Sequence, residues 1–408
     1  MLKVNDKDFN KHWIYVDDDN VPILFPCLYA RYTSRSGLTV ELKSKKNRLT
    51  NTTDHFFQED EIGSDGQYIR QNQLGLFLEW VDNEHKSGSC LSLISHTACP
   101  QDIINEYINT YLIENMEKSE VVAERAVYSL RSYYNWLHYF FDNRYKKIGI
   151  FPSHRALARA NNKQGLLVKY LLPATRELLY RHTETLLEEL ILRNGGELGC
   201  RTKENQGFLL NDFTVNKKRY SGVLSLFNEL DKNPEKDEFE YHLSSLYTKY
   251  GTSRKLYISR EHLRKMKRYY DQERPFSDSE HLYVSNSSNS SRGNVLSTQY
   301  GSDTFRKIVN IVHDEMKNNP DSYVGYQVLE EGHVYHHLRH SFGTDIFYDE
   351  CRKRGKNIES ITTESSVYIE TARRLGHKVD GVYDNQTTKT YIHSCGHRER
   401  LMEEVVYG

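Results

Sequence analysis

The stretch His336-His337-Leu338-Arg339-His340-Ser341-Phe342-Gly343-Thr344-Asp345-Ile346-Phe347 constrains this chain more than any other. Leu338, Phe342 and Ile346 recur at i, i+4 and i+8, so they share one apolar stripe of a helix, while His336, Arg339 and His340 project from roughly the other side. The pattern predicts a helix that packs with one face and presents positive charge with the other. Downstream come Leu375-Gly376-His377 and Thr387-Thr388-Lys389-Thr390-Tyr391-Ile392-His393, and well upstream lies Gly199-Cys200-Arg201-Thr202-Lys203-Glu204.

A chain of 408 residues exceeds one typical core, so two or three domains are expected. Lys+Arg total 55 against 56 Asp+Glu, which excludes a generic polycation and confines any nucleic-acid surface to a local patch. No apolar run reaches the length that crosses a bilayer, and the N-terminal residues lack the apolar segment of a secretory signal, so a soluble, cytoplasmic protein without a membrane partner is expected. The six cysteines are scattered without a Cys-x-x-Cys spacing, as in a protein with reduced thiols. His393, Cys395 and His397 lie close enough in sequence to suggest zinc, but no second ligand cluster completes such a site, and no metal or other cofactor is expected.

Residues 1–60 mix short β-favouring pieces (Trp13 to Val16, Pro22 to Phe25, Leu38 to Leu42) with charged turns, which predicts a small accessory domain. Helices are predicted near 68–86, 102–117 and 119–143, the third carrying Ala126, Leu130, Tyr133, Tyr134 and Leu137 on one side. Together they predict a helical domain over 66–152, followed by a basic linker over 153–172. A further helix is predicted from Ala174 to Ile191, stopping at Asn194-Gly195-Gly196, and strands are predicted at Phe208 to Leu210, Tyr220 to Phe227 and Phe239 to Leu243. Tyr247 to Ile258 reads as a hairpin turning at Gly251, with Lys249 at its tip, and Ser285 to Ser291 as a flexible loop. From Lys249 to Arg274 nine Lys/Arg stand against three acids; Arg254, Lys255, Arg264, Lys265, Lys267 and Arg268 are the candidate contacts to a phosphate backbone, the competing reading being a solvated helix face.

Most of the 30 tyrosines and 18 histidines must be structural, so only the set of residue types carries chemical information. Phosphodiester transesterification places extra negative charge on non-bridging oxygens, which two guanidinium forks bind without a metal. Arg201 and Arg339 suit that role. A phenol, with an ordinary pKa of roughly 10, needs a cationic cluster or a base to act as a nucleophile, and the leaving 5′-oxygen needs a proton that a mobile Lys249 can give.

These segments resemble the tyrosine recombinases, or phage-type integrases. Gly199-Cys200-Arg201-Thr202-Lys203-Glu204 is similar to the family's Gly-x-Arg-x-x-Glu segment, His336 to His340 to its His-x-x-Arg-His box, Leu375-Gly376-His377 to its Leu-Gly-His box, and Thr387 to His393 to the segment bearing its nucleophile. The strand-turn-strand around Lys249 resembles the hairpin whose lysine is catalytic. The resemblance implies a mainly α fold with a small antiparallel β-sheet, made of a helical core-binding domain that contacts DNA and a mixed α+β catalytic domain over 173–408. It further implies that Tyr391 attacks the scissile phosphate to form a 3′-phosphotyrosyl bond. Arg201 and Arg339 clamp the phosphate, His336 and His377 bond to it or carry the nucleophile's proton, Lys249 is the general acid, and Glu204 and His340 orient the arginines. It implies site-specific recombination, integrating or excising a mobile element without metal or ATP, on double-stranded DNA, as a tetramer whose C-terminal tails (Leu401, Val405, Val406) pack on neighbouring subunits, with accessory proteins as further partners.

Two departures stand out. His337 occupies a position where the family usually has Asp, and fourteen positions separate His377 from Tyr391, more than the family usually has. The longer connection contains Tyr383, a second candidate nucleophile, and raises the question whether Tyr391 acts in its own site or a neighbour's. The competing readings are a metal-dependent phosphodiesterase using His336 and His340, disfavoured by Arg339 beside them; a catalytically inactive DNA-binding regulator, disfavoured by suitable residue types at every expected catalytic position; and a type IB topoisomerase, which shares the chemistry.

Overall fold

The computed structural model of the chain describes residues 1–5, 12–46, 52–161, 169–248, 251, 253–329, 332–357, 365–377, 395 and 398–400. The fold is mainly α with small two-stranded antiparallel sheets, as the sequence predicts. It divides into two compact units, Met1–Gly165 and Leu166–Gly408. No described helix is long and apolar enough to cross a membrane.

In the first unit β1 (Leu2–Asn5) pairs with β2 (Trp13–Val16), and α1 (Leu24–Ser36) leads into β3 (Leu38–Lys46), which pairs with β4 (Thr53–Glu61) from Leu38 opposite Glu61 to Lys46 opposite Thr53. Then come α2 (Ser64–Lys86), α3 (Gln101–Glu106) running into a π-helical stretch Tyr107–Asn115, α4 (Glu120–Phe141) and α5 (Pro152–Ala160). The run Pro22 to Phe25, expected as a strand, instead feeds the first turn of α1. The described residues among 1–60 share a core with the helices that follow. Tyr15, Ile23, Tyr29, Ala30 and Val40 are buried in the same cluster as Leu74, Phe77 and Leu78 of α2 and Ala126, Leu130 and Tyr133 of α4. Four of the buried phenols here find partners: Tyr29 at Ser132 Oγ (2.5 Å), Tyr133 at His96 Nε2 (2.7 Å), Tyr134 at the His96 carbonyl (2.8 Å) and Tyr15 at the Gln71 carbonyl (2.7 Å). The first part of the expected linker is the helix α5, with Ala158 buried and Arg155 and Arg159 paired to Glu120 at 3.1 and 2.8 Å.

The second unit begins with α6 (Pro173–Arg181) and α7 (Leu186–Glu197), where one continuous helix was expected. The break has a local cause. Thr185 accepts from the Glu188 amide at 3.2 Å, and the Glu273 carboxylate accepts from the Leu186 and Leu187 amides at 2.6 and 3.0 Å, so the orphan donors of a new helix start are satisfied. Helix α7 also runs through Gly195-Gly196 rather than stopping there. It is the centre of the unit: Leu187, Leu190 and Ile191 pack with residues of the later helices and strands. The hairpin β5 (Phe213–Val215) and β6 (Lys218–Tyr220) turns on Asn216 and Lys217, both at positive φ, the geometry of a two-residue turn.

The strand expected over Tyr220 to Phe227 is mostly helix. After β6 the chain enters α8 (Val223–Lys232), whose Val223, Leu226, Phe227 and Leu230 are buried at helical spacing, and Asp212 fixes its start by accepting from the Gly222 amide at 2.9 Å. Phe208 to Leu210, also expected as a strand, contributes one isolated bridge, Leu209 to His281. Next come β7 (Glu238–Leu243) and β8 (Arg254–Ser259), paired from Glu238 opposite Ser259 to Leu243 opposite Arg254. They are followed by α9 (Arg260–Gln272), α10 (Tyr300–Asn318), α11 (His336–Lys353) and α12 (Ser366–Leu375). The expected loop at Ser285 to Ser291 is laced internally, Asn289 Oδ1 accepting from Ser287 Oγ (2.8 Å) and the Ser291 amide (2.9 Å).

Candidate active site

The Gly-x-Arg-x-x-Glu segment leaves α7 through Gly199, whose φ of +62° suits glycine, and a Cβ at this position would stand 2.5 Å from Phe342 Cδ1 on α11. The close approach puts the Gly199 carbonyl within reach of two guanidinium groups. It accepts from Arg339 Nη1 and, at 2.9 Å, from Arg254 Nη2. Two residues on, Arg201 caps a short 3₁₀ turn, Thr202–Gly207, and Glu204 folds back on it. The Glu204 carboxylate accepts from the Arg201 backbone amide at 2.9 Å and from Arg201 Nη1 at 2.7 Å.

Glu204 is the electrostatic centre of the site. Its side chain is 1% exposed, with Arg254 at 2.7 Å, Arg201 at 2.7 Å and Arg339 at 3.7 Å. Burial alone pushes a carboxyl up, but Arg254, Arg339 and Arg201 outweigh it and hold Glu204 at about 2, so it is ionised at neutral pH. Among the described residues Glu204 is the only side-chain partner of Arg201, whose side chain remains 24% exposed.

The helix α11 departs from its expected arrangement. Leu338 is buried as predicted, but Arg339 and His340 are buried too, so the basic residues do not form an open face. Arg339 donates inward to the Gly199 carbonyl, to the Leu375 carbonyl at 2.5 Å and toward His377 Nε2 at 3.4 Å. Its charge is compensated by Glu204 and by two carbonyl dipoles from segments far away in sequence. His336 is exposed, and its ring meets that of His340 edge-on at 4.8 Å. Burial lowers His340 to about 3, with His336, His337, Lys169 and Arg339 adding to the effect.

The Leu-Gly-His box closes the site from α12, which packs against α11 and β8. Gly376 ends α12 at a φ of +68°, and a Cβ there would stand 2.5 Å from Arg254 Cδ. This turn delivers His377 beside Arg339. Burial lowers the His377 pKa, and Arg339, Arg201 and Arg254 lower it further, to about 3. A neutral imidazole among guanidinium groups can accept a proton or donate one hydrogen bond, and an arriving phosphate anion offsets the positive field that depresses its basicity.

Lys249, Tyr383, Tyr391, His393 and His397 lie outside the described residues. The chain returns to the site's neighbourhood at Cys395, buried against Phe347, Cys351 and Val367, and at Arg398, whose Nε donates to the Tyr170 hydroxyl (3.2 Å) and to Asp345 (3.4 Å) while its guanidinium lies 4.0 Å from the Tyr348 ring centroid. Nothing in the residue pattern pointed to Asp345, which also receives Arg176 and the Tyr170 hydroxyl (2.6 Å). Among the described residues no three His, Cys, Asp or Glu side chains come together as a metal site.

The six expected DNA-contact residues divide. Arg264 and Arg268 are exposed on α9, one turn apart, and with Lys267 they line a shallow cleft. Lys267 pairs with Asp271 (2.9 Å), Lys265 with Glu189 (3.0 Å) and Lys255, across the hairpin, with Glu240 (2.7 Å). Arg254 differs from the rest: its side chain is 2% exposed and turned into the site, so it presents nothing to a DNA surface.

No protein-family model matches the chain, and no curated protein matches it. Several solved structures do. The chain trace is similar to XerH site-specific recombinase bound to difH substrate (16% identity, 85% of this chain and 80% of that chain, TM-score 0.49). It is similar to the Tn1549 transposon integrase in complex with a circular intermediate DNA (13% identity, 90% and 94% coverage, TM-score 0.48). A lambda integrase dimer bound to a COC′ core site matches at 15% identity, 82% and 90% coverage, and a TM-score of 0.43. The chemistry that follows rests on the geometry of the site.

Proposed function

We propose that this chain is a site-specific DNA recombinase that cleaves and rejoins strands through a 3′-phosphotyrosyl intermediate, integrating or excising a mobile element. The observation that carries the reading is that Arg201 and Arg339, from segments far apart in sequence, meet at Glu204, with His377 from a third segment beside Arg339.

A scissile phosphate meets the partly exposed fork of Arg201 and the Arg339 guanidinium, which match the charge that grows on the non-bridging oxygens. The Tyr391 oxygen forms a bond to phosphorus as the bond to the 5′-oxygen breaks. Neutral His377 accepts the phenol proton, and Lys249 protonates the leaving 5′-oxygen. His336, exposed at the start of α11, hydrogen-bonds the same phosphate, while His340 and Glu204 hold the arginines. The free 5′-hydroxyl of a second strand then reverses the step, and the energy kept in the phosphotyrosine makes ATP unnecessary. The partner is double-stranded DNA, contacted through Arg264, Lys265, Lys267 and Arg268 on α9 and through Lys255, with the protein acting as a tetramer on DNA and with accessory proteins.

The test is to incubate the chain in EDTA with labelled DNA from the flanks of its own gene and look for an SDS-resistant adduct. The expected outcome is an adduct with the wild type and none with Tyr391→Phe. An adduct retained by Tyr391→Phe transfers the nucleophile to Tyr383, and an adduct that requires a divalent metal overturns the mechanism.

A further inference from the structure

We propose that Arg254 is a positioning residue of this active site, holding Arg201, Arg339 and His377 in register through Glu204 and the backbone; the proposal rests on the recombinase reading above.

Its guanidinium bridges both sides of the site. Nη2 donates to Glu204 Oε2 at 2.7 Å, to the Gly199 carbonyl at 2.9 Å and toward Cys200 Sγ at 3.7 Å, all in the segment that carries Arg201. Nη1 donates to the Arg374 carbonyl at 2.7 Å and the Leu198 carbonyl at 3.3 Å, so the same fork also grips the end of α12, two residues before Gly376 and three before His377. Gly376 lacks a side chain where one would collide with Arg254 Cδ at 2.5 Å, so the Leu-Gly-His turn closes directly over the arginine stem. Arg254 is also the first residue of β8, on the strand that follows Lys249 by five positions. One buried side chain therefore touches the two described segments that carry Arg201 and His377, and begins a strand five positions after Lys249 in sequence.

Charge gives it a second task. Glu204 has one negative charge and three guanidinium groups around it, of which Arg254 and Arg201 make the close contacts and Arg339 stands back at 3.7 Å. With Arg254 absent, Glu204 draws Arg339 into the vacated contact and away from the phosphate position. The close contacts of Arg201 and Arg254 on Glu204 thus leave Arg339 at 3.7 Å, held by the Gly199 and Leu375 carbonyls. Arg254 itself is assigned no phosphate contact, because its side chain is 2% exposed and its Nη donors are committed to Glu204 and to the backbone of residues 198, 199 and 374.

The experiment measures single-turnover adduct formation and DNA affinity for wild type, Arg254→Met, Arg254→Lys, Arg254→Met/Glu204→Gln and Arg254→Lys/Glu204→Gln, with Tyr391→Phe as the blank and a thermal melt for each. A displacement of about 1 Å in the clamp predicts a loss of about 100-fold in adduct rate for Arg254→Met at unchanged DNA affinity. Arg254→Lys, which keeps the charge without the fork, falls between Arg254→Met and wild type. Removing the charge of Glu204 returns part of the rate to Arg254→Met, because Arg339 is released, whereas a residue that only fills space gives no such recovery. If Arg254→Met does not fold, Arg254→Lys and its Glu204→Gln double give the same comparison. A folded Arg254→Met that reacts at the wild-type rate, or a defect that Glu204→Gln leaves untouched, overturns the proposal. An absent adduct in wild type overturns the recombinase reading, and this one with it.

Discussion

Arg339 and Glu204 face each other at 3.7 Å with both side chains 1% exposed, an ion pair between the most deeply buried guanidinium among the described residues and the carboxylate that serves three arginines. The same carboxylate takes 2.7 Å contacts from Arg201 and Arg254. Glu204→Gln removes the only negative charge of this cluster among the described residues and leaves buried cations facing one another. Loss of one partner of a buried pair costs about 3–5 kcal/mol, so the urea midpoint of the second unit is expected to fall by that much stability. A change below about 0.5 kcal/mol, the scale of an ordinary surface substitution, is the result that contradicts it.

The same cluster sets a pH dependence. Burial lowers His377, His340 and His337 to about 3 each, helped at His377 by Arg339, Arg201 and Arg254, and at His337 by His333, His336 and Lys169. In the unfolded chain each titrates near its ordinary 6.5, so below that pH the unfolded state binds protons that the folded state refuses. Stability is therefore full above about pH 6.5 and declines as pH falls toward 3, by up to about 1.4 kcal/mol per pH unit for each histidine. Glu204, held at about 2, acts in the same direction lower down: its contribution is present above 4.5 and is lost as pH falls toward 2. Melting temperatures between pH 8 and pH 5 check this. The expected curve is flat above pH 7 and falls below 6.5, with a shallower fall in His337→Asn.

Gly199 makes the arginine arrangement possible, and Gly199→Ala is expected to undo it. A left-handed backbone costs an L-residue about 1–2 kcal/mol, and the new methyl, 2.5 Å from Phe342 Cδ1, adds an overpacking cost of about 1–3 kcal/mol. The carbonyl that accepts from Arg339 and Arg254 moves with the backbone, so adduct formation falls along with the melting temperature. Phe342→Ala added to Gly199→Ala relieves the collision but not the φ angle. The double is expected to recover part of the stability lost on overpacking while remaining slow in adduct formation.

How much of this was legible in the residues follows from which contacts are local. That Arg201, Arg339 and His377 come together was legible because each sits in a short segment of recognisable spacing. That α11 would bury its arginine was not, because an amphipathic pattern assigns charge to water, whereas here the Gly199 and Leu375 carbonyls, 140 and 36 residues away, satisfy it. Arg254 was counted in a basic run and expected on a DNA surface. Strand alternation carried the contrary signal: Arg254, Leu256 and Ile258 share one face of β8, and all three are buried, while Lys255 points out. The helix α8 shows the same competition between periods, since Tyr220 to Phe227 is apolar enough for a strand while Val223, Leu226, Phe227 and Leu230 fit 3.6 residues per turn better. The network around Asp345 had no sequence signal, because its members Tyr170, Arg176, Asp345 and Arg398 come together only in the folded unit.

That network bears on where Tyr391 acts. Cys395, four residues after Tyr391, is buried against Phe347 and Cys351 of α11 and Val367 of α12, and Arg398 is held by Asp345, Tyr170 and the Tyr348 ring. Four residues span at most about 14 Å, so under the proposed mechanism a chain held at Cys395 on its own α11 is expected to use its own Tyr391. Mixing Tyr391→Phe with Arg201→Ala, each inactive alone, is then expected to give no adduct, whereas a nucleophile delivered to a neighbouring subunit restores one. Arg398→Ala loosens the tether. It is expected to leave DNA affinity unchanged and cost about 1 kcal/mol of stability, the scale of a partly exposed ion pair, while slowing adduct formation. Restored activity in the mixture would mean that the contacts of Arg398 and Cys395 give way when DNA is bound.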